Sequence, residues 1–210
     1  MDCLTSEKLL STTYGLAVVT GSTGEALELG EVKEHLRVEI DDDDGLIGRL
    51  ITGARNYVQE QTLRPLLPMV FDYRRDRFPR GIRPIELPVY PVLSSPAIVI
   101  TYIDGAGVTQ TLASDQWKAS LDREPCRIVP AYGKVWPTAR TESDAVTIRF
   151  PAGYADPAAV PQDIKHAMLL LLGEFYENRE AGVVSERLAK VVGGFLAPYS
   201  YDAEFADFGA

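Results

Sequence analysis

The spacing of apolar residues along this chain changes twice. Between Leu46 and Leu63 they recur at i, i+3, i+4 and i+7, placing Leu46, Ile47, Leu50, Ile51, Ala54, Tyr57 and Val58 on one stripe. That period predicts a long amphipathic helix with one buried face. Upstream, Val32, His35 and Leu36 predict a two-turn helix over Glu31–Val38. The run Asp41–Asp44 then reads as a solvated turn, with Asp44 as the expected N-cap of the long helix. A carboxylate there, accepting orphan N–H groups at the positive end of the macrodipole, is worth about 1 kcal/mol. Pro65 and Pro68 forbid continuation.

The period then shortens to two. Met69–Arg77 alternates in part, and Ile82–Pro96 carries four prolines (Pro84, Pro88, Pro91, Pro96), which suits an extended edge rather than a central strand. Ala97–Ile103 and Val108–Leu112, joined by Asp104-Gly105-Ala106-Gly107, predict a hairpin. Gln116–Leu121 and Cys126–Val129 predict a second pair, and Ala145–Phe150 a last strand stopped by Pro151 and Gly153. Leu16–Thr20 is a further short strand in an otherwise weakly periodic start.

The helical period returns at Val160–Glu180. Ile164, Ala167, Met168, Leu171, Leu172, Phe175 and Tyr176 form its stripe, and Leu169 and Leu170 widen it, predicting burial on more than one side. Ser185–Val192 reads as a short helix broken by Gly193-Gly194. The end sets Phe195, Leu196, Tyr199, Tyr201, Phe205 and Phe208 among small and acidic residues, a composition that orders on a partner or packs on its own domain. The expected organisation is an extension over 1–29, a first helical half over 30–68, a β-rich insertion over 69–157, a second helical half over 158–194 and a tail over 195–210. The fold class is α+β, with a helical core from two sequence-distant segments and an inserted small antiparallel sheet or barrel.

Charge narrows the function. The net charge of −9 is uneven: residues 1–61 hold 5 basic and 12 acidic side chains, whereas 62–100 hold 6 and 3. An acidic chain is poorly built for tight nucleic-acid binding. The one basic island, Arg74, Arg75, Arg77, Arg80 and Arg83, reads first as a solvated strand and loop face. Two cysteines, Cys3 and Cys126, imply no disulfide framework and suit a reducing compartment. No basic region precedes an apolar stretch at the N-terminus and no apolar run spans a bilayer, so the expectation is a soluble, cytoplasmic chain without membrane contact.

Recognisable chemistry is sparse. An EF-hand with its glycine at Gly45 would put Ile40 and Ile51 at the first and twelfth ligand positions, so no calcium loop is expected. Gly21–Gly24 lacks the Lys-Ser/Thr of a phosphate loop, and Gly105 and Gly107 sit in a hairpin rather than opening a helix. Cys126 follows a proline in a turn, while His35 and His166 fall on helices, where a structural role is the commoner outcome. Glu174 and Glu177 read as a polar helix face. No catalytic set, cofactor or metal is expected.

Taken together, the segments EVKEHLRVEIDDDDGLIGRLITGARNYVQEQT, ITYIDGAG, DREPCRIVPAYGKVWP, VTIRFPAGY and VPQDIKHAMLLLLGEFYENRE resemble the tailed-phage head–tail connector (adaptor) family, in its longer branch with a β insertion. Relatives occur in prophages and gene transfer agents, and the resemblance covers about residues 30–200. It implies a structural, non-enzymatic protein of the virion neck, assembled in the host cytoplasm. Such proteins form a ring, commonly of twelve copies, beneath the portal protein, and present a docking surface to a stopper or tail-completion protein. DNA passes through the lumen without specific binding. By the same resemblance, Phe195, Leu196, Tyr199, Tyr201, Phe205 and Phe208 become portal-docking candidates. Both helical stripes (Leu46 to Val58, and Ile164 to Tyr176) become helix-packing or ring-interface candidates. A ring of acidic subunits would repel DNA from its walls and let it slide. Competing readings are a stopper or tail-completion protein, against which the two long helical stripes argue, and a small hydrolase or nuclease, for which no residue set is visible.

Overall fold

The computed structural model describes residues 15–178 and 184–200. The chain divides into two compact units, each assembled from separated segments.

The helical unit takes Thr23–Leu67 and, among the described residues, those from 154 to 200. It holds α1 (Leu29–Leu36), α2 (Asp44–Thr62), α3 (Gln162–Glu177) and α4 (Glu186–Leu196). Its core is the pair of stripes expected from the sequence: Ile47, Ile51, Ala54 and Val58 of α2 meet Ile164, Ala167, Met168, Leu171 and Leu172 of α3. Val32 of α1 and Val192 and Leu196 of α4 complete it. Each fully buried side chain of this size contributes about 1.5–3 kcal/mol, so packing rather than intrinsic propensity holds these helices.

Helix α4 corrects one expectation. It runs through Gly193-Gly194 to Leu196 instead of breaking there. Two glycines cost about 2 kcal/mol of helix propensity, which burial of Val192 and Leu196 on either side of the pair, both 1% exposed, offsets. The start of α2 also shifts by one residue. Asp43 is the N-cap and caps with no side-chain hydrogen bond. Asp44 lies inside the first turn, where Lys33 engages it.

The end of α2 is set by its last two buried polar side chains. Thr62 Oγ1 donates to the Val58 carbonyl (2.8 Å), and Gln59 Oε1 accepts the Leu66 N–H (3.0 Å) as the chain turns away. Leu63 takes a left-handed conformation (φ 53°). Two residues later Pro65 bars any return to helix.

The β unit takes residues 15–22 and Pro68–Gly153. One sheet orders β1 (Leu16–Thr20), β2 (Met69–Arg75), β8 (Val146–Ala152), β4 (Val99–Ile103) and β5 (Thr109–Thr111) as β1-β2-β8-β4-β5. The other orders β3 (Ile85–Glu86), β7 (Arg127–Pro130) and β6 (Trp117–Ser120) as β3-β7-β6. All pairs are antiparallel. Both predicted hairpins are present, and the sheets are open, so the barrel alternative falls. In the central β2–β8 pair, Phe71 stands opposite Phe150 with ring centroids 5.8 Å apart. On the other side of the same pair Arg149 grips Asp72 with two hydrogen bonds, 2.7 and 2.8 Å. Strand β8 does not stop at Pro151 as expected. It continues to Ala152, with the Pro151 carbonyl accepting the Leu93 N–H.

Candidate functional site

Each reactive side chain described has a structural setting of its own. Cys126 is 1% exposed, and burial pushes its thiol up to about 11, so it stays protonated at neutral pH. His35 and His166 are exposed on α1 and α3, and His166 meets the Phe195 ring edge-on at 5.0 Å. Among the described residues no group of three His, Cys, Asp or Glu side chains is placed to hold a metal. No helix of the described residues is long and apolar enough to cross a membrane.

The acidic turn between α1 and α2 works as a fastening. Lys33 Nζ lies 2.6 Å from Asp41 Oδ1 and 2.7 Å from Asp44 Oδ1, tying the turn to α1. Hydrogen bonding to Lys33 holds the Asp41 carboxyl below its ordinary value. Asp43 Oδ2 accepts the Tyr176 hydroxyl at 2.5 Å, joining the turn to α3. Three of the four consecutive carboxylates are thus engaged within the fold.

The interface candidates divide by burial. Ile47, Ile51, Ala54 and Val58 of α2, and Ile164, Met168, Leu171 and Leu172 of α3, lie in the core of the helical unit. Leu46, Leu50, Tyr57, Phe175 and Tyr176 are half-buried and keep an outward surface, as do Leu169 and Leu170. The docking candidates divide too. Leu196 is 1% exposed in the core, while Phe195 and Tyr199 pack half-buried against it. Tyr201, Phe205 and Phe208 lie outside the described residues.

What the sequence reading missed is how the turn after α4 is secured. Arg64, only 7% exposed, donates from Nε to the Tyr199 carbonyl at 2.7 Å, and its guanidinium lies 5.9 Å from the Tyr199 ring centroid. Tyr199 in turn points its hydroxyl toward Asp163 Oδ2 at 3.4 Å. Burial, with Asp163 beside it, raises the Tyr199 phenol above its ordinary value. No local signal in the sequence marks Arg64 for this; a lone arginine before a proline reads as surface.

A second feature missed is an exposed apolar group in the β unit. Tyr132 stands fully in solvent (101% exposed), with Val135 at 69% and Ile82 at 70%. The five arginines of the 74–83 segment lie as expected: Arg74, Arg77, Arg80 and Arg83 are exposed, and Arg75 packs over the Tyr73 ring.

With this geometry in view, the likenesses to known proteins can be placed. Residues 27–90 match the family model described as the phage gp6-like head-tail connector protein. A chain in the neck of an empty gene transfer agent (GTA) particle, computed with C6 symmetry, is 24% identical. It superposes with a TM-score of 0.69, the match covering 89% of this chain and 95% of that one. A chain of the native GTA virion is also 24% identical over the same shares, with a TM-score of 0.71. A chain in the neck of the native particle, computed with C12 symmetry, is 25% identical with a TM-score of 0.70. No curated protein matches the chain significantly. The family model and the shared fold bear out the resemblance read from the sequence. Residues 27–90 are thus similar in sequence to that connector family, and the chain shares its fold with chains of GTA necks.

Proposed function

We propose that the chain is the head–tail adaptor of a tailed phage, prophage or gene transfer agent. Copies form a ring, of twelve subunits, beneath the portal protein. The ring extends the DNA channel and offers its far side to a stopper or tail-completion protein. What supports this reading is above all the fold, shared over 89% of this chain with chains of GTA necks. The C6 and C12 symmetries of those necks accord with a closed ring built from one repeated heterologous contact. The stopper alternative is less well supported, because two of the longest elements here are the core helices α2 and α3.

Within this reading, Tyr201, Phe205 and Phe208 are the residues to carry portal docking, since Leu196 belongs to the core and Tyr199 is held by Arg64. In this reading the channel wall is acidic, in keeping with a net charge of −9 per copy, so that DNA slides past without sticking.

Co-sedimentation with the portal protein of the same particle tests the reading. A truncation must fall after Ser200, because one after Gly194 would remove Leu196 from the core. Binding by the full chain in ring stoichiometry, lost in the truncated chain, is the expected result. Binding by both would keep the adaptor role and remove the tail from it. Binding by neither would end the adaptor reading.

A further inference from the structure

The exposed apolar group in the β unit is rigidly built. Residues 131–134 form a tight turn closed by the Lys134 N–H on the Ala131 carbonyl (2.9 Å), with Gly133 at φ 75°. That positive φ at the third turn position is the glycine requirement of a type II turn. Tyr132 occupies its tip. Behind it, Trp136 is buried, stacks on Phe78 with centroids 5.2 Å apart, and donates from its indole N–H to the Arg83 carbonyl at 2.9 Å. This bond sets Ile82 and Arg83 beside Val135 and Trp136. Around this bond and this turn the chain exposes three apolar side chains, Ile82, Tyr132 and Val135, and three cations, Arg80, Arg83 and Lys134. Among the described residues none of those three cations forms an ion pair.

The helical unit carries the opposite surface. Glu28, the extended N-cap of α1, and Glu31 and Glu34, at i, i+3 within it, are all exposed. The turn that Lys33 fastens to this helix adds exposed Asp42 and an exposed apolar side chain, Ile40, at 60%. Among the described residues these four carboxylates also form no ion pair. Residues 28–44 hold eight carboxylates and two Lys or Arg side chains; residues 74–83 hold five arginines and one aspartate.

We propose that the surface formed by Arg80, Ile82, Arg83, Tyr132, Lys134 and Val135 docks on Glu28, Glu31, Glu34 and Ile40 of a second copy of this chain. The first surface joins exposed apolar side chains to cations, and the second carries exposed carboxylates with one exposed apolar side chain, Ile40, beyond the helix. Two different, complementary surfaces per copy are what a closing heterologous ring requires. A phosphate backbone would satisfy the arginines but gain nothing from Ile82, Val135 and Tyr132, so a protein face fits better than nucleic acid. The inference rests on the ring reading above and names its contact. It assigns that contact to copies free in solution as well as in a neck.

The test uses the full chain in sedimentation velocity over a wide concentration range, at low and high salt. Two variants are compared, R80E/R83E and E31R/E34R, each checked for a native circular dichroism spectrum. Every altered side chain is exposed, so folding is retained. Charge repulsion weakens self-association of either variant about tenfold or more. An equimolar mixture of the two restores it, because each reversed surface then meets its complement in alternating copies. Y132A weakens association at both salt concentrations, since its contribution is not screened. The proposal is overturned if the wild-type chain stays monomeric throughout, if the variants associate like wild type, or if mixing restores nothing. Loss of binding to a short DNA duplex by R80E/R83E, with association unchanged, would make the patch a nucleic-acid face instead. Portal co-sedimentation separates the two readings: portal binding by full-length rings that ignore the charge reversals removes this contact alone, and no portal binding by any form removes the adaptor reading itself.

Discussion

Arg64 and Tyr199 stand 135 residues apart in sequence and are joined by a 2.7 Å hydrogen bond from guanidinium to carbonyl. The bond fastens the turn after α4 to the second residue beyond the end of α2. Because Arg64 is almost wholly buried, losing it removes a charge-assisted bond in a water-poor setting. Arg64→Ala is expected to lower unfolding stability in urea by about 1–3 kcal/mol. Arg64→Lys recovers only part, since an ammonium cannot both donate at that angle and lie flat against the ring. An alanine variant as stable as wild type would show that the clasp carries no weight.

Leu196 and the tail aromatics should separate cleanly in experiment. Leu196→Ala opens a cavity among Val192 and the α3 stripe and costs about 2–5 kcal/mol of stability. Replacing Tyr201, Phe205 and Phe208 by alanine leaves the urea midpoint unchanged while reducing portal binding. If L196A proves neutral in stability, its place in the core is wrong. If the triple variant still binds portal fully, docking lies elsewhere.

The Lys33 fastening makes a pH prediction. Asp41 is held below 3.8 by hydrogen bonding to Lys33 and by its charge. A carboxyl depressed in the folded state adds stability at pH values above its unfolded pKa, and that contribution disappears as pH falls through the lower folded value. Carboxyl titration by NMR should give Asp41 a midpoint below 3.8, returning to the ordinary range in Lys33→Met. An unshifted midpoint in the wild-type chain would mean the ion pair is not maintained in water.

Cys126 should be chemically silent. In a Cys3→Ser chain, a thiol reagent at pH 8 is expected to find no reactive group until denaturant is added, because burial raises this thiol to about 11. Rapid labelling of the native chain would contradict the buried position.

The sequence told most where the periodic signal was long. The α2 and α3 stripes were legible because some five turns each repeat one spacing, and their buried residues meet as expected. Both hairpins were legible from their turns. The pairing of Leu16 with Tyr73 was not, since nothing local to either strand specifies a partner so distant. Gly193-Gly194 misled because helix propensity is worth less than burial of Val192 and Leu196. Asp43 and Asp44 are chemically alike, so the sequence could not choose the cap between them. At the candidate surfaces charge was legible but exposure was not. The arginine island was visible, whereas Tyr132, Val135 and Ile82 became a group only through the bond from Trp136 to Arg83.

Because the largest part of what covers α2 lies on α3, synthesis leaves much of the α2 stripe uncovered for a long interval. At ribosomal rates of about 5–20 residues per second, the stretch separating Val58 from Ile164 takes roughly 5–20 s to emerge. Throughout that time Ile47, Ile51 and Val58 lie open to any apolar surface in the cell. Yield of this chain is therefore governed by what shields a nascent greasy helix, and slowing translation after Pro68 should send more of it into inclusion bodies.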